Sequence, residues 1–172
     1  SVTAMEGMFN SSPFNQPIGN WQVSNVTNMQ SMFSESPFNS DISSWDVSSV
    51  ISMEAMFRES SFNQDISSWN VSNVTYMSSM FILSEFNQDI STWDVSNVTG
   101  MSSMFYSSPF NQPIGNWEVS NVIDMSAMFR LSQFNKDLSG WNVDNATFCT
   151  SFNENTPQWV LPKPNFTNCD PN

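Results

Sequence analysis

A tryptophan recurs every 24 residues, at Trp21, Trp45, Trp69, Trp93, Trp117 and Trp141, without one insertion. All 12 methionines keep the same period as M-x-x-M pairs, from Met5/Met8 to Met125/Met128. A phenylalanine follows each pair, from Phe9 to Phe129, and a second phenylalanine column runs from Phe14 to Phe134. A fixed period of this length constrains the fold more than any other feature. Each unit is too short to bury its own apolar side, but stacked units share one continuous core. The chain therefore reads as a solenoid of 24-residue coils. Ile (Leu138 in the last copy), Trp, two Val, two Met and two Phe columns supply its interior. The Met columns are packing elements, because thioethers fit well against stacked aromatics.

Local patterns suggest how each coil is built. In D-I-S-S-W-D-V-S the apolar residues alternate near Trp-x-Val, which predicts one short parallel strand per coil. M-x-x-M-F has helical spacing and predicts one helical or 3₁₀ turn on the opposite side. Asn15, Asn39, Asn63, Asn87, Asn111 and Asn135 share one column and are expected to form an internal ladder that satisfies turn backbone groups. The preference of parallel crossovers predicts a right-handed coil.

The motif I-x-x-W-x-V-x-x-V-x-x-M-x-x-M-F resembles a leucine-rich repeat of the BspA-like type. It resembles still more the bacterial surface protein repeat, found also in mycoplasma lipoproteins and marine protists. The likeness covers about residues 1–153. It implies a leucine-rich-repeat-like solenoid on secreted or surface-displayed proteins, engaged in adhesion or recognition of proteins or glycans. It carries over no catalytic residue.

Residues 1–153 are read as the repeat solenoid, about six and a half copies with the first incomplete, and 154–172 as a C-terminal capping segment. Ser1–Thr3 align with Asn25–Thr27, so the first copy starts past its own predicted strand. Such an open end is expected to continue into a longer protein or to be covered by another chain. In the tail, Trp159, Val160, Leu161 and Phe166 are expected to cover the last coil. Cys149, in the last repeat where the first Met of a pair would stand, and Cys169, in the tail, are the only cysteines, which predicts a disulfide pinning the cap.

Composition narrows the function. Four Lys and Arg against 16 Asp and Glu leave a net charge of −12, so nucleic acid and anionic membranes are unsuitable partners. The lack of histidine removes Ser-His-Asp and Cys-His catalysis. No apolar run approaches the roughly 20 residues of a membrane-spanning helix. A non-enzymatic, secreted or cell-surface protein without cofactor is expected, and its partner is an extracellular protein, a glycan or further copies of itself.

The expected binding face flanks Trp and Val and comprises Asn20, Gln22, Ser44, Asp46, Ser68, Asn70, Thr92, Asp94, Asn116 and Glu118. Asp41, Asp65 and Asp89 form an acidic column that stacked carboxylates would need to share calcium, but Pro17 and Pro113 interrupt it. Turn capping explains the same aspartates. Of the N-x-S/T sequons, Asn25, Asn73, Asn97 and Asn165 are the glycosylation candidates, with Asn165 in the irregular tail foremost. Two further functions remain open. One is a structural subunit that stacks end to end in an extracellular fibre. The other is ice binding through the column of Thr27, Thr75 and Thr99, which Ile51 and Ile123 break.

Overall fold

A computed structural model describes residues 2–172. The chain winds as a solenoid of successive 24-residue coils, and we number them from the first methionine of each pair: coil 1 is 5–28, coil 2 29–52, coil 3 53–76, coil 4 77–100, coil 5 101–124 and coil 6 125–148. The apolar columns stack as one core. Met29, Met32, Phe33, Phe38 and Ile42 of coil 2 are fully buried, as are their equivalents through coil 6. Neighbouring phenylalanines stack within a coil at 4.1 Å (Phe57–Phe62) and between coils at 5.8 Å (Phe57–Phe81), nearly parallel.

Where the coils join differs from the expectation. No strand forms at Trp-x-Val. Trp45 N–H donates to Ile42 O at 3.1 Å and Val50 N–H to Val47 O at 2.9 Å, so this edge is two consecutive turns. Those local bonds consume the N–H groups that a strand would offer a neighbour. Single-residue parallel bridges instead connect Ala4, Asn28, Ser52, Tyr76, Gly100, Asp124 and Phe148, the residues just before each Met pair or its equivalent.

The M-x-x-M-F segment carries the main-chain ladder. Met53, Ala55, Phe57 and Glu59 donate to Tyr76, Ser78, Met80 and Ile82 oxygens at 2.8–3.0 Å. The alternate N–H groups close turns within the coil, such as Met56 to Met53 O at 3.2 Å. The expected helical turn is thus present only as isolated i to i−3 bonds. Every fourth residue, Ala55 (φ 53°) and Glu59 (φ 52°) in coil 3, sits in the left-handed region, and that reversal stops a helix from propagating.

The Trp edge is joined by side chains. Each indole Nε1 of coils 2–6 donates to the Ile oxygen of the preceding coil, as Trp93 does to Ile66 O at 3.1 Å. The asparagine ladder forms as expected. Asn63, Asn87 and Asn111 each accept at Oδ1 the N–H of the next asparagine at 2.9 Å. In coil 6 the cap finishes this ladder, because Asn135 Oδ1 accepts from Val160 and Leu161 N–H at 3.0 and 3.2 Å.

The regular intercoil bonding extends past coil 6 to Glu154, whose oxygen accepts from Leu131 N–H at 2.9 Å. The chain then folds over the stack. Trp159 meets Phe129 and Phe134 edge-on at 78° and 74°, and Phe166 meets Phe152 at 68°. Turning the rings perpendicular ends the parallel stack. Cys149 and Cys169 are disulfide-bonded with Cα atoms 5.9 Å apart, as the sequence predicted. No helix long and apolar enough to cross a membrane occurs among the described residues.

Candidate functional site

The ten residues of the expected binding face are all exposed and lie along the Trp edge. Turn geometry puts them there. In coils 2–5 the residue before each Trp reaches back one coil: Ser44 Oγ donates to Gly19 O at 2.8 Å, Thr92 Oγ1 to Ser67 O at 3.0 Å and Asn116 Nδ2 to Ser91 O at 2.9 Å. In coils 2–6 the residue after each Trp caps the second turn, whereas Gln22 of coil 1 turns its amide to Asn20 O at 3.5 Å. Asp46 Oδ1 accepts from Ser48 Oγ at 2.6 Å and from its N–H at 3.1 Å, and Asp94 does the same with Ser96. Asn70 accepts both from Ser72 in the same manner, and Glu118 accepts the Ser120 N–H alone at 3.1 Å. The Ser48 hydroxyl holds the Asp46 carboxyl below the ordinary aspartate range, and Ser96 does so for Asp94. These carboxylates are stiff, solvated and ionised at neutral pH.

The calcium candidates are not brought together as a site. Asp41, Asp65 and Asp89 each spend Oδ1 on an N–H two residues ahead, Ser43, Ser67 and Ser91, at 2.8–2.9 Å. The backbone N–H of Ser43 lowers the Asp41 pKa and that of Ser67 lowers Asp65. No three acidic or thiol side chains converge among the described residues. Where Pro replaces this aspartate, glycine follows two residues on. A Cβ on Gly19 would stand 2.9 Å from Asp41 O, and one on Gly115 2.7 Å from Asp137 O.

The structure defines two further surfaces, of which the first takes in Thr99 and Ile123 of the column considered for ice binding. A shallow groove of about 530 Å³ runs across the outer coils, lined by Asn97, Thr99, Asn121, Ile123, Asn145 and Thr147. Two of the sequons lie in it as Asn-x-Thr pairs. Asn97 Nδ2 donates to Ser72 O at 2.8 Å and Asn73 Nδ2 to Ser48 O at 2.7 Å, so these two glycosylation candidates are engaged in coil-to-coil bonds. Asn25 and Asn165 are exposed. The second surface is on the Met edge, where Leu83 and Leu131 are 46% and 45% exposed and both have positive φ. Only the tertiary structure reveals that strained backbone, because leucine is not a residue that signals it.

Comparison with known proteins adds a family. The model described as "Mycoplasma protein of unknown function, DUF285" matches residues 1–84 and again 59–166. No curated protein and no solved structure matches the chain.

Proposed function

The chain belongs to the DUF285 family, described as Mycoplasma protein of unknown function, and from that premise we propose that it is a non-enzymatic recognition module displayed at the cell surface or secreted. The observation that carries this reading is the Trp edge. Its exposed polar columns are held in register by intercoil bonds such as Ser68 Oγ to Ser43 O at 3.0 Å. A surface already ordered loses little entropy when a partner binds. The Cys149–Cys169 disulfide fits an oxidising location. Asn165, exposed in the tail, is the proposed glycan acceptor if the host glycosylates.

We also retain the right-handed, leucine-rich-repeat-like description as part of the proposal, on the motif likeness and crossover preference alone. The main-chain ladder lies on the Met edge rather than at Trp-x-Val, where the apolar alternation predicted a strand. Between recognition and end-to-end fibre assembly, the covered last coil favours recognition: Trp159 and Phe166 occupy the face that a following copy would need.

The test is an array of extracellular-matrix proteins and glycans probed with the disulfide-intact chain. A retained partner that is lost with the Asp46→Arg/Asp94→Arg double variant is the expected result. No partner above background on either class would sink the reading.

A further inference from the structure

The chain carries a net −12, yet the groove beside the Trp edge carries no charged side chain in its lining. Asp124 and Asp144 are the chain neighbours of Ile123 and Asn145, so a polyanion would meet acids at the margins. The ligand that fits this lining is polar and neutral.

The hydrogen-bonding groups left free narrow it further. Thr147 N–H donates to Ile123 O at 3.0 Å and Ile123 N–H to Thr99 O at 2.8 Å. The floor's main chain is therefore committed between coils, and an added peptide strand would find few backbone partners. The asparagines are half committed. Asn97, Asn121 and Asn145 donate Nδ2 inward to Ser72, Ser96 and Ser120 oxygens at 2.7–2.8 Å. Fixing the amide nitrogen inward turns each Oδ1 outward as an acceptor, one per coil. The Thr147 hydroxyl adds a further group, the Thr99 hydroxyl donates to Thr75 O at 3.4 Å and keeps only its acceptor capacity, and Ile123, 46% exposed, gives an apolar patch between them.

The spacing of these acceptors is that of the ladder, roughly 4.8 Å per coil. One pyranose ring in an extended chain advances by a similar length. A linear sugar polymer laid along the solenoid axis would present hydroxyl donors to successive Oδ1 atoms and a ring face to Ile123. We infer that this groove is a binding site for a neutral, linear polysaccharide, with one sugar per coil. This rests on the recognition reading above and names its ligand class and its seat.

The experiment uses the disulfide-intact chain and a panel of neutral hexasaccharides from glucan, xylan, mannan and chitin, with the trisaccharide of each, read by calorimetry or retention on the immobilised sugar. At least one hexasaccharide is expected to bind more tightly than its trisaccharide. Ile123→Arg is expected to weaken it at least about tenfold, and Leu131→Arg on the Met edge to leave it unchanged, with circular dichroism confirming that both variants fold. Silence from the whole panel, or binding indifferent to Ile123→Arg, overturns the assignment. If the array ligand responds only to Asp46→Arg/Asp94→Arg, recognition stands and the groove fails. Thermal hysteresis of ice growth that Ile123→Arg abolishes, without sugar binding, would assign the groove to ice instead.

Discussion

Along the Met edge, coils are joined by main-chain N–H groups, whereas along the Trp edge they are joined by side chains. Phe81 N–H reaches Met104 O at 3.0 Å on the first edge. Trp117 Nε1 reaches Ile90 O at 3.1 Å on the second. The difference explains which positions may vary from copy to copy. The column of Asn10, Ser34, Arg58, Ile82, Tyr106 and Arg130 on the Met edge has no common chemistry, because the backbone makes the bond whatever the side chain. On the Trp edge the indole is the donor, and Trp is kept in every copy. Where the backbone makes the bond the side chain varies freely, and where a side chain makes it the column keeps a donor, as with Ser44, Ser68, Thr92 and Asn116.

Breaking the side-chain edge is expected to cost most. Trp93→Ala, at a buried position, should lose about 3–5 kcal/mol in denaturant unfolding. Trp93→Phe should lose about 1–3 kcal/mol, by leaving Ile66 O unpartnered. Ser103→Ala on the Met edge should stay within about 0.5 kcal/mol. Equal losses on both edges would refute the contrast.

The last coil sharpens it, since its Met edge still bonds to a following segment as far as Glu154, whereas its Trp edge meets the cap instead of another tryptophan. Reducing Cys149–Cys169 should cost roughly 3 kcal/mol, given the 20-residue separation and loop-closure entropy. The loss should be local, with amide exchange accelerating across 135–156 while coils 2–4 keep their protection. Uniform acceleration would show that the cap holds the whole stack.

A smaller effect is expected at the glycines. Gly115→Ala forces a Cβ to 2.7 Å from Asp137 O, whereas at Gly140 the nearest atom is 3.9 Å away. The first should destabilise by about 1–3 kcal/mol and the second within about 0.5 kcal/mol, measured by thermal melts.

The smallest effect is with pH. Serine hydrogen bonds depress Asp41, Asp46, Asp65, Asp94 and Asp137. A depressed folded pKa favours the native state above the ordinary aspartate value of about 3.9, and that contribution is lost as pH falls through the folded value. The melting temperature should therefore decline below about pH 4 and stay flat above it as far as these groups are concerned. Because the carboxylates are solvated, the slope should be shallow. Asp46→Asn/Asp94→Asn should flatten it further.

Much of this architecture is legible in the residues. The Trp, Met and Phe columns imply a stacked core, and the core has those residues. The Asn15–Asn135 ladder and the Cys149–Cys169 pair also follow from position. The strand at Trp-x-Val was misplaced because period-2 alternation also fits two linked turns when Asp46 and its equivalents cap them. The groove was legible only in part: the sequence picked out the Thr99 and Ile123 column and the Asn97 sequon, but not that the amides of Asn97, Asn121 and Asn145 bond back one coil beside that column.

What the sequence determined by itself is the period, and with it the solenoid and the identity of its buried columns. Identical units can bury their apolar sides only against each other, so the core is a consequence of the repeat. The tertiary structure decided which edge carries the backbone ladder, because that depends on the sign of φ at positions such as Ala55 and Leu131, where side-chain identity sets no such requirement. It also decided how Asn97, Asn121 and Asn145 orient their amides, since an amide's two ends are told apart only by the oxygen that the preceding coil places beneath it.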